Sequence, residues 1–242
     1  VTLAVTNEIG TTTLVKTAYI KANEKPELPA GEMLYGGNME DPNLWNITEL
    51  NASQATTATW NNTANTLAYG EGGNLLLSAS VLNKQSLYCI WQAVELKAGM
   101  RYSFTGAFRD LSTDLNHFWS EVFIGDVAPI DGADYGAGHT KIAFFNTWDC
   151  GSSPGLDGTY QDNACGDDPV GVFVPETDGT YYFAIKTGAI DWENTVYSFT
   201  VMIDEVSLME SENIPVPVAD FFADITSGDA PLEVYFTDLS SN

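Results

Sequence analysis

The sequence predicts an all-β protein, a β-sandwich or jelly roll, on three observations. Helical periodicity is nearly absent from the 242 residues, and apolar and polar residues alternate in short runs instead. Gly, Asn and Asp punctuate those runs where strands would turn. Hydrophobic residues make up 44% of the chain, enough for a sizeable core beneath the strands.

Taken in order, residues 1–22, "VTLAVTNEIGTTTLVKTAYIKA", read as a hairpin of two alternating strands around "NEIG". The Pro-containing stretch "NEKPELPAGE" then marks a linker, with its boundaries expected at 23–30. A central domain is expected over 31–210, with strands at "RYSFTGAF", "SEVFIGDV", "TKIAFFNT", "TYYFAIKT" and "VYSFTVMIDEVSL". A second Pro-containing linker, "ENIPVPVAD", is expected to separate it at 211–216 from a terminal unit at 217–242.

Period-2 geometry sorts the central strands into two faces. In "NHFWSEVFIGD", Val122 and Ile124 read as core, which turns Trp119, Glu121 and Phe123 outward. In "YSFTGAFRD", Tyr102, Phe104 and Phe108 read as core, leaving Thr105, Ala107 and Arg109 outward. In "LYCIWQAVEL", Ile90, Val94 and Leu96 read as core, with Trp91 and Glu95 outward. Trp148, Trp192 and Tyr135 sit in "FFNTWDCG", "GAIDWENTV" and "DGADYGAGH", polar loops expected to leave rings exposed. His117 and His139 read as ordinary polar residues. Outward rings in such number need a partner.

The charge narrows that partner. Acids outnumber bases 33 to 9, a formal net charge of −24, which repels nucleic acid and anionic membranes. Aromatic residues reach 12%, more ring surface than a core usually needs. No run of about 18 apolar residues is present, so no membrane insertion is expected in this segment. The chain begins at Val1, as expected of a cut piece whose export signal and anchor lie outside it. Of the three Cys, Cys150 and Cys165 flank the polar loop "CGSSPGLDGTYQDNAC", and a disulfide closing it is expected to contribute about 3 kcal/mol. Such a bridge implies an oxidising, extracytoplasmic compartment. Cys89 reads as a small buried hydrophobe.

The tail resembles the opening of a PKD domain, an immunoglobulin-like sandwich. It carries Pro217, Ala219, Phe221, Thr226-Ser227-Gly228, Ala230-Pro231-Leu232, Val234, Phe236, Asp238 and Ser240-Ser241. The head, "VTLAVTN" followed by "KTAYI", resembles the last strands of such a domain. The resemblance implies partial PKD units at both ends, and two copies are expected to complete one another end to end.

Four stretches of the centre, in order, resemble carbohydrate-binding modules of the family 4/9/22 type, which are β-jelly rolls. They are "GGNMEDPNLW", "WQAVELKAGMRYSFTGAFRD", "DGTYYFAIKTG" and "MIDEVSL". The resemblance implies a core Trp45 and a structural Ca²⁺ shared by Glu40 and Asp204, whose hard oxygens suit that ion. Jelly-roll hydrolases of the laminarinase type instead carry E-x-D-x-x-E on one strand. Here Met202 takes the first acidic position. Strict alternation puts Met202, Asp204 and Val206 on one face and Glu205 and Ser207 on the other, a poor arrangement for paired carboxylates.

The expected activity is therefore non-catalytic binding of a neutral polysaccharide, with a β-1,3-glucan such as laminarin favoured. The resemblance places it at an extracellular or outer-membrane surface, as in multimodular proteins of polysaccharide-degrading Bacteroidetes. The expected ligand-binding residues are Trp91, Arg109, Trp119, Glu121, Tyr135, Trp148 and Trp192. Two other classes stay open: a structural or adhesive spacer, and a divergent hydrolase or lyase using Glu121 with Glu95.

Overall fold

The computed structural model describes residues 2–7, 9–15, 26–50, 52–63, 69, 72–150, 157–160, 171–212 and 219–240. In chain order the strands are β1 (Thr2–Asn7), β2 (Gly10–Val15), β3 (Asn46–Glu49), β4 (Thr57–Asn61), β5 (Asn74–Val81), β6 (Gln85–Leu96), β7 (Arg101–Asp110) and β8 (Phe118–Gly125). They continue as β9 (Thr140–Asn146), β10 (Asp157–Thr159), β11 (Val172–Phe173), β12 (Gly179–Ile190), β13 (Tyr197–Ser211), β14 (Phe221–Ala223) and β15 (Phe236–Asp238).

Two antiparallel sheets form the sandwich, confirming the expected all-β jelly-roll class. One runs β10-β7-β13-β5-β4, with β11 also on β7; the other runs β3-β6-β12-β8-β9. The core lies between them because alternation puts one side chain in two on each inner face. On β8, Phe118, Ser120, Val122 and Ile124 are buried, while Trp119 and Glu121 face out and are only half-buried. Phe104, Phe108 and Phe118 pack with Tyr160, Phe183 and Phe145 at the centre. Trp45 closes the sandwich at 5% exposure, its indole N–H donating to Gly36 O, as expected for a core ring. β1 pairs with β2 and β14 with β15, each as a separate two-stranded sheet.

The alternation fails at one place on β13. Asp204 pairs with Ala107, but the next pair is Ser207 with Thr105, so β13 carries one extra residue. Glu205, at φ 49°, takes up that β-bulge. Val201 and Ile203 point into the core before it, and Val206 and Leu208 after it. Asp204 and Val206 therefore do not share a face, which corrects the strict alternation expected across this stretch.

Candidate functional site

Trp119, Trp148 and Trp192 come from three separate stretches and meet at one end of the five-stranded sheet. β8 starts there, while its two neighbours β9 and β12 end there. Trp119 pairs with Asn146 on one side and Gly188 on the other. The ring centroids of Trp119 and Trp148 are 6.0 Å apart; those of Trp148 and Trp192 are also 6.0 Å apart, with planes within 20°. His117 sits among them, 5.6 Å from Trp148, 5.1 Å from Trp192 and 4.0 Å from Tyr197. Trp148 and Trp192 remain 47% and 59% exposed, so these rings form a surface platform rather than core.

Local hydrogen bonding fixes each ring. The Asn146 Oδ1 accepts the Trp148 and Asp149 N–H groups at 2.9 and 2.8 Å, an Asx turn that presents Trp148. Thr147 ties this turn to β8 through N–H to Phe118 O at 3.0 Å. Asp191, buried, accepts the N–H groups of Asn83, Glu193 and Thr195 and so shapes the turn that carries Trp192. Burial alone raises its carboxyl. Those three amides and the nearby His117 overcome that effect and hold it below the ordinary carboxylate range. Trp119 lies over Gly188, where a Cβ would come within 2.9 Å of the ring and 2.5 Å of Ser86 O.

Polar groups flank the rings. A shallow pocket of about 310 Å³ is lined by Trp119, Glu121, Asn146, Trp148 and Asp149. Glu121 is held by Lys186 at 2.8 Å and Lys141 at 3.2 Å, and Lys186 also reaches Asp134 at 3.3 Å. The pocket thus combines two aromatic plates with fixed donors and acceptors, an arrangement suited to a ligand with an apolar face and hydroxyl groups.

Other expected site residues lie elsewhere. Tyr135 is 4% exposed, not exposed as its polar loop suggested. Its ring stacks on His139 and meets Phe123 edge-on, and its O–H donates to Val127 O at 2.9 Å. With Leu50, Leu87, Cys89, Phe123 and Ala184 it forms a second small core on the outer side of this sheet. Trp91 packs at the edge of that core, edge-on to Tyr182, and its indole N–H donates to Thr48 Oγ1. Trp91 faces Ala184 and Trp119 faces Gly188, so strand spacing puts them about 16 Å apart across the covered patch. Arg109 belongs to β7 in the other sheet, where its Nε meets Asp157 at 3.0 Å and its guanidinium lies 4.4 Å from the Tyr69 ring. Alternation placed Trp91 and Arg109 outward correctly; it carried no information on which sheet each belongs to or what covers it.

Glu95 and Glu121 are equally separate. They pair with Thr180 and Lys186, six residues apart on β12 and so about 20 Å apart along the strand. A glycosidase pair needs about 5–10 Å.

At the bulge, Asp204 is 1% exposed and accepts the N–H groups of Tyr69 and Glu205, at 2.9 and 2.8 Å. Glu40 Oε1 accepts the Gly73 N–H at 2.7 Å. Burial, then the charges of Asp204 and Glu40, raise the Glu205 carboxyl. Among the described residues no group of three or more His, Cys, Asp or Glu side chains has the arrangement of a metal site. Cys150 is disulfide-bonded and Cys89 is free and buried, while Cys165 lies outside the described residues. Sequence reasoning missed His117, Asn146 and Asp191. Asn146, two residues before Trp148, carries an Asx-turn signal; nothing local marks His117 as the centre of a ring cluster.

No family model and no curated protein matches the chain. Among solved structures, TmCBM61 in complex with β-1,4-galactotriose aligns with TM-score 0.39 at 13% identity, over 72% of this chain and 92% of that one. A carbohydrate-binding module described as promiscuous and from the β-sandwich superfamily aligns with TM-score 0.38 at 14% identity, over 86% and 72%. The enzymatically active domain of tailspike protein 4 from bacteriophage CBA120 aligns with TM-score 0.37 at 13% identity, over 72% of this chain and 20% of that one. At this level the likeness is one of general architecture, with no residue-by-residue correspondence.

Proposed function

We propose that this chain is a non-catalytic glycan-binding module of an extracellular, multimodular protein, and that its ligand is a neutral polysaccharide, with β-1,3-glucan (laminarin) favoured. The convergence of half-buried Trp119 with exposed Trp148 and Trp192 beside the Glu121–Asn146 pocket carries this reading. Sugar rings present apolar C–H faces to such plates, and their hydroxyls need fixed polar partners. The −24 net charge disfavours anionic polysaccharides. The wide separation of Glu95 and Glu121 weighs against hydrolysis by that pair.

A structural Ca²⁺ at Glu40 and Asp204 belongs to the same proposal. The donors are hard oxygens, and the Glu205 carboxyl beside them, raised first by burial and then by the charges of Asp204 and Glu40, adds a further oxygen donor at the bulge. The partial-PKD reading of the ends is retained as well. The β14–β15 hairpin exposes Phe221, Phe222, Tyr235 and Phe236, each more than half, as an unfinished sandwich would. Its proposed cover is the head hairpin of a second copy.

Calorimetric titration of laminarin into the chain, with a reducing-sugar assay on the same sample, tests the central claim. Saturable heat without new reducing ends, with affinity weakened about thirtyfold in Trp148→Ala, is the expected result. New reducing ends would make the protein an enzyme. Absence of heat with laminarin and with a panel of other neutral glycans would leave the spacer reading.

A further inference from the structure

The aromatic platform continues beyond Trp192. Tyr197, stacked on His117, also borders a cleft of about 400 Å³ on the six-stranded side of the sandwich end. The cleft exists because β7 stops short. Its last residue, Asp110, pairs with Val201, so Tyr197 to Thr200 of β13 have no strand partner on that side among the described residues. The chain leaving β7 turns away after contacting Thr200. The Leu111 N–H donates to Thr200 O at 2.8 Å, and Ser112 Oγ accepts the Thr200 N–H at 2.9 Å.

The walls of this cleft are rich in hydroxyls, from Ser112, Thr113, Thr195, Ser198 and Thr200, and among the described residues Asp114 is the only carboxylate that lines it. Ser198 Oγ already donates to Ser80 Oγ at 2.9 Å. Three compartments thus follow one another and share residues. Trp148 borders the pocket beside Glu121 and stacks on Trp192; Tyr197 stacks on His117 and borders the cleft. The two end compartments are open to solvent. A site that grips a chain terminus must be closed behind it, whereas an open run accepts a chain that passes through.

We infer that this cleft is a second glycan subsite, continuous with the tryptophan platform, and that the protein binds an internal stretch of a linear neutral polysaccharide across the end of the sandwich. The inference rests on the glycan-binding reading above. Its probes are laminari-oligosaccharides of two to seven glucose units, the same series with borohydride-reduced ends, and the variants Trp148→Ala and Thr113→Leu. Affinity is expected to rise at least tenfold between three and six units and to be insensitive to end reduction. Thr113→Leu, which fills the cleft, should remove that gain and leave the shortest binding oligomer unaffected. Should that variant lose the near-ultraviolet dichroism of the wild type, Ser198→Leu on the same wall replaces it. Affinity that levels off at three units, is lost on end reduction, or keeps its full length dependence in the cleft variant would overturn the inference while leaving the platform intact. If no oligomer binds the wild type, or Trp148→Ala binds as tightly, the glycan reading fails and this inference falls with it.

Discussion

Four rings that the sequence treats alike have different roles. Trp148 and Trp192 have open faces and Trp119 borders the pocket, so Trp148→Ala or Trp192→Ala is expected to cost about 2 kcal/mol of glycan binding, roughly thirtyfold in affinity, at unchanged thermal midpoint. Tyr135 is packed on Phe123 and His139, so Tyr135→Ala should instead cost about 3–5 kcal/mol of stability. Titration calorimetry and thermal melts on the same variants separate the two roles. Asp191 acts through Trp192: its three amide contacts hold the turn, and Asp191→Ala should weaken binding without touching ligand. Its carboxyl is lowered in the folded state. Its contribution is therefore present above the unfolded value and lost as pH falls through the folded one, and melts across the acid range would show this.

Among the elements, β12 and β13 matter most to the site. β12 brings Gly188 beneath Trp119, and a methyl group there meets the Ser86 carbonyl, which belongs to backbone and cannot swing aside. Gly188→Ala should therefore both lower the melting temperature and weaken binding, whereas Trp119→Ala lowers binding mainly; a double-mutant comparison reads the coupling. β13 supplies the bulge. Because the Glu205 carboxyl is raised, its protonated form favours the fold. That stabilisation is full below the unfolded value and is lost as pH rises through the folded one. Ca²⁺ needs the ionised carboxylates, so it should raise the thermal midpoint near neutral pH and the gain should vanish in acid. An equal midpoint with calcium and with chelator at neutral pH would remove the metal from the proposal.

At the scale of the whole molecule, the sandwich carries its own core, while among the described residues the two terminal hairpins form separate two-stranded sheets. A lone two-stranded hairpin is marginal in water, and the tail hairpin leaves Phe221 and Phe236 65% and 67% exposed. Mass measured by light scattering should therefore rise with protein concentration, and Phe236→Asp should abolish the rise. A monomer mass independent of concentration would dispose of head-to-tail completion.

The sequence by itself determined the all-β class, the inward face of most strands, the core role of Trp45 and the exposure of Trp148 and Trp192. All of these follow from alternation or from the polarity of immediate neighbours, which are local properties. Tertiary structure alone decided that Trp119, Trp148 and Trp192 share one sheet end, that Arg109 lies in the opposite sheet, and that Tyr135 is roofed in rather than open. It also decided the flip of phase at Glu205. The reason is physical: strand order is set by pairing between segments far apart in the chain, and a bulge is set by the partner strand. A period of two residues records which way a side chain points, not what it meets there.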